Sequence, residues 1–553
     1  MNLRIIFTTG LLCVGWALSL CGDPPSDISF RDVTEHSQIA FQYENGGTDQ
    51  YYLVEIVGAG LCLFDADCDG LIDVYLVNGA ALPGKTFDVP PSDQFFLNRG
   101  GLKFMEHTDP SGLKEQNYGL GATAADFDND GFVDLYISNF GPKVLMHNNG
   151  DGTFSDITDS AGVADGNKFG AGVTFLDIDN NGNLDLFVGN YVDFDFKRHH
   201  ELAPKSIPYP PGPRDFRPTP DSLFYNNGDG TFCDISESSG IRKSACPSMG
   251  VVAADFDRDG DVDIFVGCDG EPNLFYQNDG TGKFTEEALL VGVATDLRGR
   301  AKGSMGVDAA DLNGDGLLDI AVTNYMDQLI EVFRNSSPGG FFDDVSSIMK
   351  LGTDVKPHVK WGIGLVDFDL DSDIDAFICN GHFLKHAKSI EPITDYAVPN
   401  CVMENLGNKV FRNASRQSAA ALQHTASSRG GGFDDLDNDG DVDAIIVNCD
   451  TNSQILENRY SGNNKWLQLK LSGRKCNRSA VGAKVVISAG GRELFLEQLN
   501  GRGYQSYYGS VLNAGLGNVG KADKIQIFWP NRAEPTTLND ISVNQRLLIV
   551  EPE

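Results

Sequence analysis

Gly121-Ala-Thr-Ala-Ala-Asp126-Phe-Asp128-Asn-Asp130-Gly131-Phe-Val-Asp134-Leu-Tyr-Ile-Ser-Asn139 decides the fold, because it is one of seven copies of a single acidic pattern. That pattern is Asp-x-(Asp/Asn)-x-(Asp/Asn)-(Gly/Ser)-x-x-Asp, and the copies start 51 to 78 residues apart. A repeat of this length predicts stacked supersecondary units, as blades or as a solenoid. Carboxylates two residues apart in a turn can converge on one ion, and a cage of hard oxygens suits Ca²⁺.

The candidate ligands follow copy by copy. They are Asp65, Asp67, Asp69 and Asp73, then Asp126, Asp128, Asp130 and Asp134. The third and fourth copies supply Asp177, Asp179, Asn181 and Asp185, and Asp255, Asp257, Asp259 and Asp263. The fifth and sixth supply Asp311, Asn313, Asp315 and Asp319, and Asp367, Asp369, Asp371 and Asp375. The seventh supplies Asp435, Asp437, Asp439 and Asp443. The closing aspartate is expected to bind bidentately. Asn181, Asn313 and the turn residue Ser372, where the other copies have Gly, make the third, fifth and sixth loops the expected weak binders.

An EF-hand would need Glu at position 12 of the loop. Here that position is apolar throughout, from Leu76 and Ile137 to Ile378 and Ile446. Short aliphatic runs such as Ala444-Ile-Ile-Val447 follow the closing acid and read as buried strands. A Gly five residues before each first Asp, for example Gly306 and Gly430, predicts a strand that approaches another closely near a central axis. Downstream, Leu145-Met-His-Asn-Asn-Gly-Asp-Gly-Thr-Phe154 reads as a hairpin. Each repeat thus predicts four strands. The seventh lacks its last strand, and Phe30-Arg-Asp-Val-Thr34 matches the missing phrase. The expectation is an all-β, seven-bladed β-propeller closed by the N-terminal strand, without an open edge.

The repeats resemble the FG-GAP (VCBS-type) repeats of integrin α-subunit propellers. The C-terminal stretch carries Asn477-Arg-Ser-Ala-Val-Gly-Ala483, Asn500-Gly-Arg-Gly-Tyr-Gln-Ser506, Gly515-Leu-Gly517, Phe528-Trp-Pro530 and Asn544-Gln545, and resembles the ASPIC/UnbV domain. Together they resemble the layout of the cartilage acidic protein family and its bacterial relatives. The resemblance implies an integrin-α-like propeller over residues 28–460 and an ASPIC/UnbV domain over 461–553. Alternating runs such as Trp466-Leu-Gln-Leu-Lys-Leu471 predict a small β-sandwich or barrel there. Arg492, Arg502, Tyr504, Tyr507 and Tyr508 read equally as a binding patch or as packing and turn residues.

The formal net charge is −35, and seven Ca²⁺ would leave it strongly negative. Such a chain repels nucleic acid and anionic membranes. Residues 1–21 read as a secretory leader: Arg4, an apolar run from Ile5 to Leu20, then either cleavage after Ser19 or a lipoprotein-type signal that would lipidate Cys21. No other stretch reads as a transmembrane segment. Export places the protein outside the cell, in the periplasm or on the outer surface, where Ca²⁺ is plentiful. Among the eleven Cys, Cys233 with Cys246 is the expected disulfide; Cys62 with Cys68 and Cys379 with Cys401 are further pairings to test.

No nucleophile elbow, phosphate loop or dinucleotide fingerprint stands in a fitting context. His199-His200 and Pro208-Tyr-Pro-Pro-Gly-Pro-Arg214 occupy a long insert that reads either as a ligand-contacting loop or as a stiffened surface loop. The expectation is an exported, calcium-stabilised, non-catalytic, adhesion-type binding protein for an extracellular protein or polysaccharide. Two alternatives remain: a polysaccharide-active enzyme or accessory built on the insert loops, and a structural surface protein.

Overall fold

The computed structural model describes residues 26–48, 50–202, 209–407, 410–416 and 420–553. The expected leader with Cys21, and residues 203–208 of the insert, lie outside them. The protein is all-β in architecture, with short helices only between sheets.

Each acidic repeat builds an antiparallel sheet. In the second, the strands are Tyr118–Ala125, Asp134–Phe140, Val144–Asn148 and Phe154–Asp156, hydrogen-bonded in that order. The first strand ends at the acidic loop, the second leaves it, and the last two form the hairpin, with Asn148 opposite Phe154. The innermost strand is buried along its whole length, so small residues fill it; the outermost buries only Phe154. The same order recurs in the sheets that begin with Leu61–Phe64, Gly170–Leu176, Ser248–Ala254, Ser304–Ala310 and Lys360–Val366. In the last repeat, Phe30–Asp32 pairs antiparallel with Gln454–Asn458, in the place a hairpin strand holds elsewhere. Val398–Pro399 adds a fifth strand on the opposite edge.

Innermost strands of successive sheets pack side by side. Gly306 sits so close to the Trp361 carbonyl, and Gly430 to the Ala59 carbonyl, that a Cβ would collide. The second of these contacts joins the last sheet to the first.

From Lys465 onward the chain forms two more sheets, one of three strands and one of four, which share a core that includes Leu467, Leu469, Val485, Ile487, Ile525 and Ile527. Residues 500–509 leave these sheets as a tongue that enters the space between the innermost strands. The backbones of Gly503 and Val307 exchange two hydrogen bonds, at 2.7 and 2.8 Å. Leu63 donates to the Tyr507 carbonyl and Tyr507 to that of Leu61, while Ala122 donates to that of Gln505. Asn500 Oδ1 accepts from Phe175 N at 2.8 Å. Arg502 makes a two-pronged pair with buried Asp308, at 2.8 and 2.9 Å, and Tyr508 donates to the same carboxylate. Arg502 and the three tyrosines are therefore packing residues; Arg492 alone of the five is exposed, and it donates to the Asp371 carbonyl.

The disulfide pairs Cys246 with Cys268, not with Cys233. Strand register explains this. Ser248 lies opposite Cys268 in the fourth sheet, which brings Cys246 to a Cα separation of 5.7 Å from Cys268. Cys233 lies on an exposed outer strand of the preceding sheet and is free, as are Cys62, Cys68, Cys379 and Cys401.

Candidate metal centres

Every acidic loop joins the innermost strand of a sheet to its neighbour, so all seven lie at the same end of their sheets. The turn is built by the loop's own carboxylates. Asp126 Oδ2 accepts from Gly131 N at 2.8 Å, and Asp130 Oδ1 from Phe132 N at 2.8 Å. The closing aspartate braces the loop against the hairpin: Asp73 accepts from Ala66 N and from Asn98 N. The same Asn-to-Asp bond recurs at Asn148, Asn226, Asn278, Asn335, Asn405 and Asn458.

These asparagines were visible as hairpin residues, but their second role was not. Each amide reaches across to the acidic loop of the preceding sheet. Asn148 Nδ2 donates to the Ala66 carbonyl, Asn226 to Phe127, Asn278 to Ile178 and Asn335 to Phe256. Asn405 donates to Leu312, Asn458 to Phe368, and Asn98 to Leu436 at 2.8 Å, which links the first sheet to the last. The signal was an Asn at one fixed place in every hairpin phrase.

The predicted ligands are brought together. Carboxylate oxygens of Asp65, Asp67 and Asp73 lie within 4.8 Å of one another, as do those of Asp126, Asp128 and Asp130. The same holds for Asp177, Asp179 and Asp185, and for Asp255, Asp257 and Asp259. His147, not singled out from the sequence, joins Asp128 and Asp134 at the second loop. Tyr225 and Gln277, at the matching place in the next two hairpins, donate to Asp179 and Asp257.

A fit test lies in the unmet oxygens. Asp65, Asp126, Asp179, Asp255, Asn313, Asp369 and Asp437 each hold a buried Oδ1 that no protein group satisfies, so every loop has at least one. A buried acceptor without a partner is costly, and a cation supplies the missing partner. Burial pushes the closing carboxyls up, to about 8 at Asp73, about 9 at Asp134 and about 8 at Asp319. These groups are thus poorly stabilised as anions by the protein alone. The donor set is all oxygen at six loops, which suits a hard divalent cation.

The C-terminal sheets cover this end. Ser479 Oγ accepts from Asp126 N, Gln468 donates to Asp435 at 2.7 Å, and Lys484 pairs with Asp255.

The insert histidines lie elsewhere. His199 is buried against the Tyr52 ring at 5.0 Å, and His200 bonds the Tyr52 hydroxyl at 3.0 Å. His382 accepts from Leu384 N, and burial lowers its pKa to about 4. Among the described residues, no helix is long and apolar enough to cross a membrane.

The ASPIC and UnbV family model matches residues 473–553, and the FG-GAP-like repeat model matches 126–188, 216–266 and 255–322. Cartilage acidic protein 1 of Homo sapiens is 24% identical over 335 residues, covering 56% of this chain and 46% of its own length. That of Mus musculus is 26% identical over 296 residues, covering 50% and 41%. The chain thus spans less than half the length of these relatives. Among solved structures, an Agrocybe aegerita lectin recognising non-reducing terminal N-acetylglucosamine aligns with TM-score 0.38 and 16% identity, over 71% of this chain and 86% of that one. Rhamnogalacturonan lyase YesW aligns with TM-score 0.37 and 13% identity, over 73% of each chain. Likeness at that level fixes neither ligand nor activity. The chain carries FG-GAP-like repeats followed by an ASPIC/UnbV domain, with homology to cartilage acidic protein 1.

Proposed function

We propose that this chain is an exported, calcium-stabilised binding protein without catalytic activity. Its scaffold is a seven-bladed propeller over residues 28–460, closed by Phe30–Asp32, with the ASPIC/UnbV domain of residues 461–553 docked across the metal-loop end. The Asn98 bond to Leu436 and the pairing of Phe30–Asp32 with Gln454–Asn458 support closure. The observation that carries the calcium reading is the unmet buried oxygen in each of the seven loops. Ca²⁺ supplies charge neutralisation there and ties each loop to its own sheet. The ligand is an extracellular protein or polysaccharide, met at the end of the propeller that the ASPIC/UnbV domain leaves open.

The test is surface binding. Calcium-loaded protein is passed over immobilised extracellular polysaccharides and secreted proteins, with reducing ends and unsaturated products assayed in the same samples. The reading predicts saturable binding, weakened by chelator, and no product. Product that depends on an insert residue would replace it with the enzyme reading.

A further inference from the structure

At the end away from the metal loops, the axis opens into a cavity of about 400 Å³. Its lining comes from the far ends of the strands. Met305 and Trp361 lie near the starts of innermost strands, and Tyr191, Asp269 and Tyr325 directly follow second strands. The proline-rich insert contributes Tyr209 to Arg214 as one wall. From the opposite end, the tongue closes the bottom: the Tyr504 ring packs edge-on to Trp361 at 5.3 Å.

Two properties of this pocket set its ligand class. The first is shape. Tyr209 and Tyr325 join hydroxyl to hydroxyl, and Phe383 lies 6.1 and 6.2 Å from their rings. A ligand meets the partly exposed rings of Tyr209, Tyr325 and Phe383, edged by hydroxyl and amide groups, including Gln328. Such a surface takes a ring with one apolar C–H face and polar edges, as a pyranose has.

The second property is charge. In a chain of net charge −35, the pocket lining holds Arg214 and Lys302 beside one acid, Asp269; Lys302 pairs with buried Glu331 at 3.4 Å, so Arg214 is the lining cation left for a ligand. Asp269 is engaged by the Tyr191 hydroxyl at 2.7 Å. Arg214 spends Nε and Nη2 on the Gly270 carbonyl, and its side chain is otherwise exposed. Beside the pocket, the guanidinium of Arg429 stacks on Trp361 at 4.2 Å. Arg429 is buried and bonds only neutral oxygens, those of Ser427, Ser428 and Ile56. No acidic side chain among the described residues forms an ion pair with it. An uncompensated buried cation is expensive, and an anion in the pocket would offset part of that cost.

We propose that the axial pocket binds a carboxylate-bearing sugar residue at the end of an extracellular polysaccharide, with its ring against the aromatic walls and its carboxylate towards Arg214. The proposal rests on the reading of the chain as a non-catalytic binder.

The experiment is calorimetric titration of the full calcium-loaded protein with tetramers of galacturonate, glucuronate and mannuronate, each beside its uncharged parent tetramer. At least one uronate is expected to bind tenfold or more tighter than its parent. Arg214→Gln, at an exposed position, should weaken the uronate about tenfold and leave the melting temperature unchanged. Phe383→Ser should weaken charged and uncharged tetramers alike. Failure of all three uronates to bind, or equal affinity for the uncharged parents, overturns the proposal. Binding that survives both substitutions also overturns it, while leaving the binder reading intact. Appearance of unsaturated or reducing-end product in the cell would instead overturn the binder reading itself.

Discussion

Ser372 and the hairpin asparagines show how single residues tune one loop plan. The turn at Ser372 runs at φ +82°, where the other six loops have Gly. A non-Gly residue there stores about 1 kcal/mol or more. Ser372→Gly should therefore stabilise the protein by about 1 kcal/mol in urea unfolding and strengthen ion binding at the sixth loop; a loss of stability would contradict the turn assignment. Asn278 makes the opposite point. Its amide serves the Ile178 carbonyl at 2.8 Å and that of Val262 at 3.2 Å. Asn278→Ala orphans buried acceptors at about 1–3 kcal/mol each, so unfolding should shift by roughly 2 kcal/mol or more; a shift near zero would mean the inter-sheet bond is not made. The closing carboxyls set the pH response of metal-free protein. Burial holds Asp73 and Asp319 at about 8 and Asp134 at about 9, above unfolded values. The folded state then holds more protons than the unfolded one between about pH 4 and 8. In chelator, the stability these groups contribute is full in acid and is lost as pH rises through their folded pKa values. With Ca²⁺ the trend should reverse, because the metal needs the deprotonated ligands. Melting curves from pH 5 to 8 with and without chelator check the sign.

At the scale of elements, the tongue is the least expected part of the molecule. Its key pair joins Arg502 to Asp308, 194 residues apart in sequence. Removing the cation leaves a fully buried carboxylate, so Arg502→Ala should cost about 3–5 kcal/mol, measured by chemical unfolding. A cost below about 1 kcal/mol would mean the tongue is not seated. The contrast with the metal loops shows what sequence could say. Each loop's ligands, turn residue and following strand fall within one short window, and the hairpin phrase carries its own turn chemistry, so sheet and loop were legible locally. The missing seventh hairpin strand was legible because six other copies defined it. The tongue was not, because Asn500-Gly-Arg-Gly-Tyr-Gln-Ser506 has its partners on strands spread over the repeats. The disulfide was misread for a related reason: proximity in sequence favoured Cys233, while sheet register delivered Cys268.

At the scale of the whole molecule, one end and the other do different work. The acidic loops, the asparagine bonds between sheets and the docked C-terminal sheets gather at one end and tie successive sheets together. The aromatic cavity lies at the other, with the tongue as its floor. Under the proposed function, stability and recognition are separated along one axis, with the metal loops on the side of stability. The most direct test is thermal unfolding of the mature chain in Ca²⁺, in Mg²⁺ and in chelator, with bound calcium counted on the same sample. The account predicts a large rise in melting temperature that Ca²⁺ gives and Mg²⁺ does not, with several ions bound per chain. Equal melting in all three conditions with no bound calcium would contradict it, and would reduce the seven acidic loops to turns.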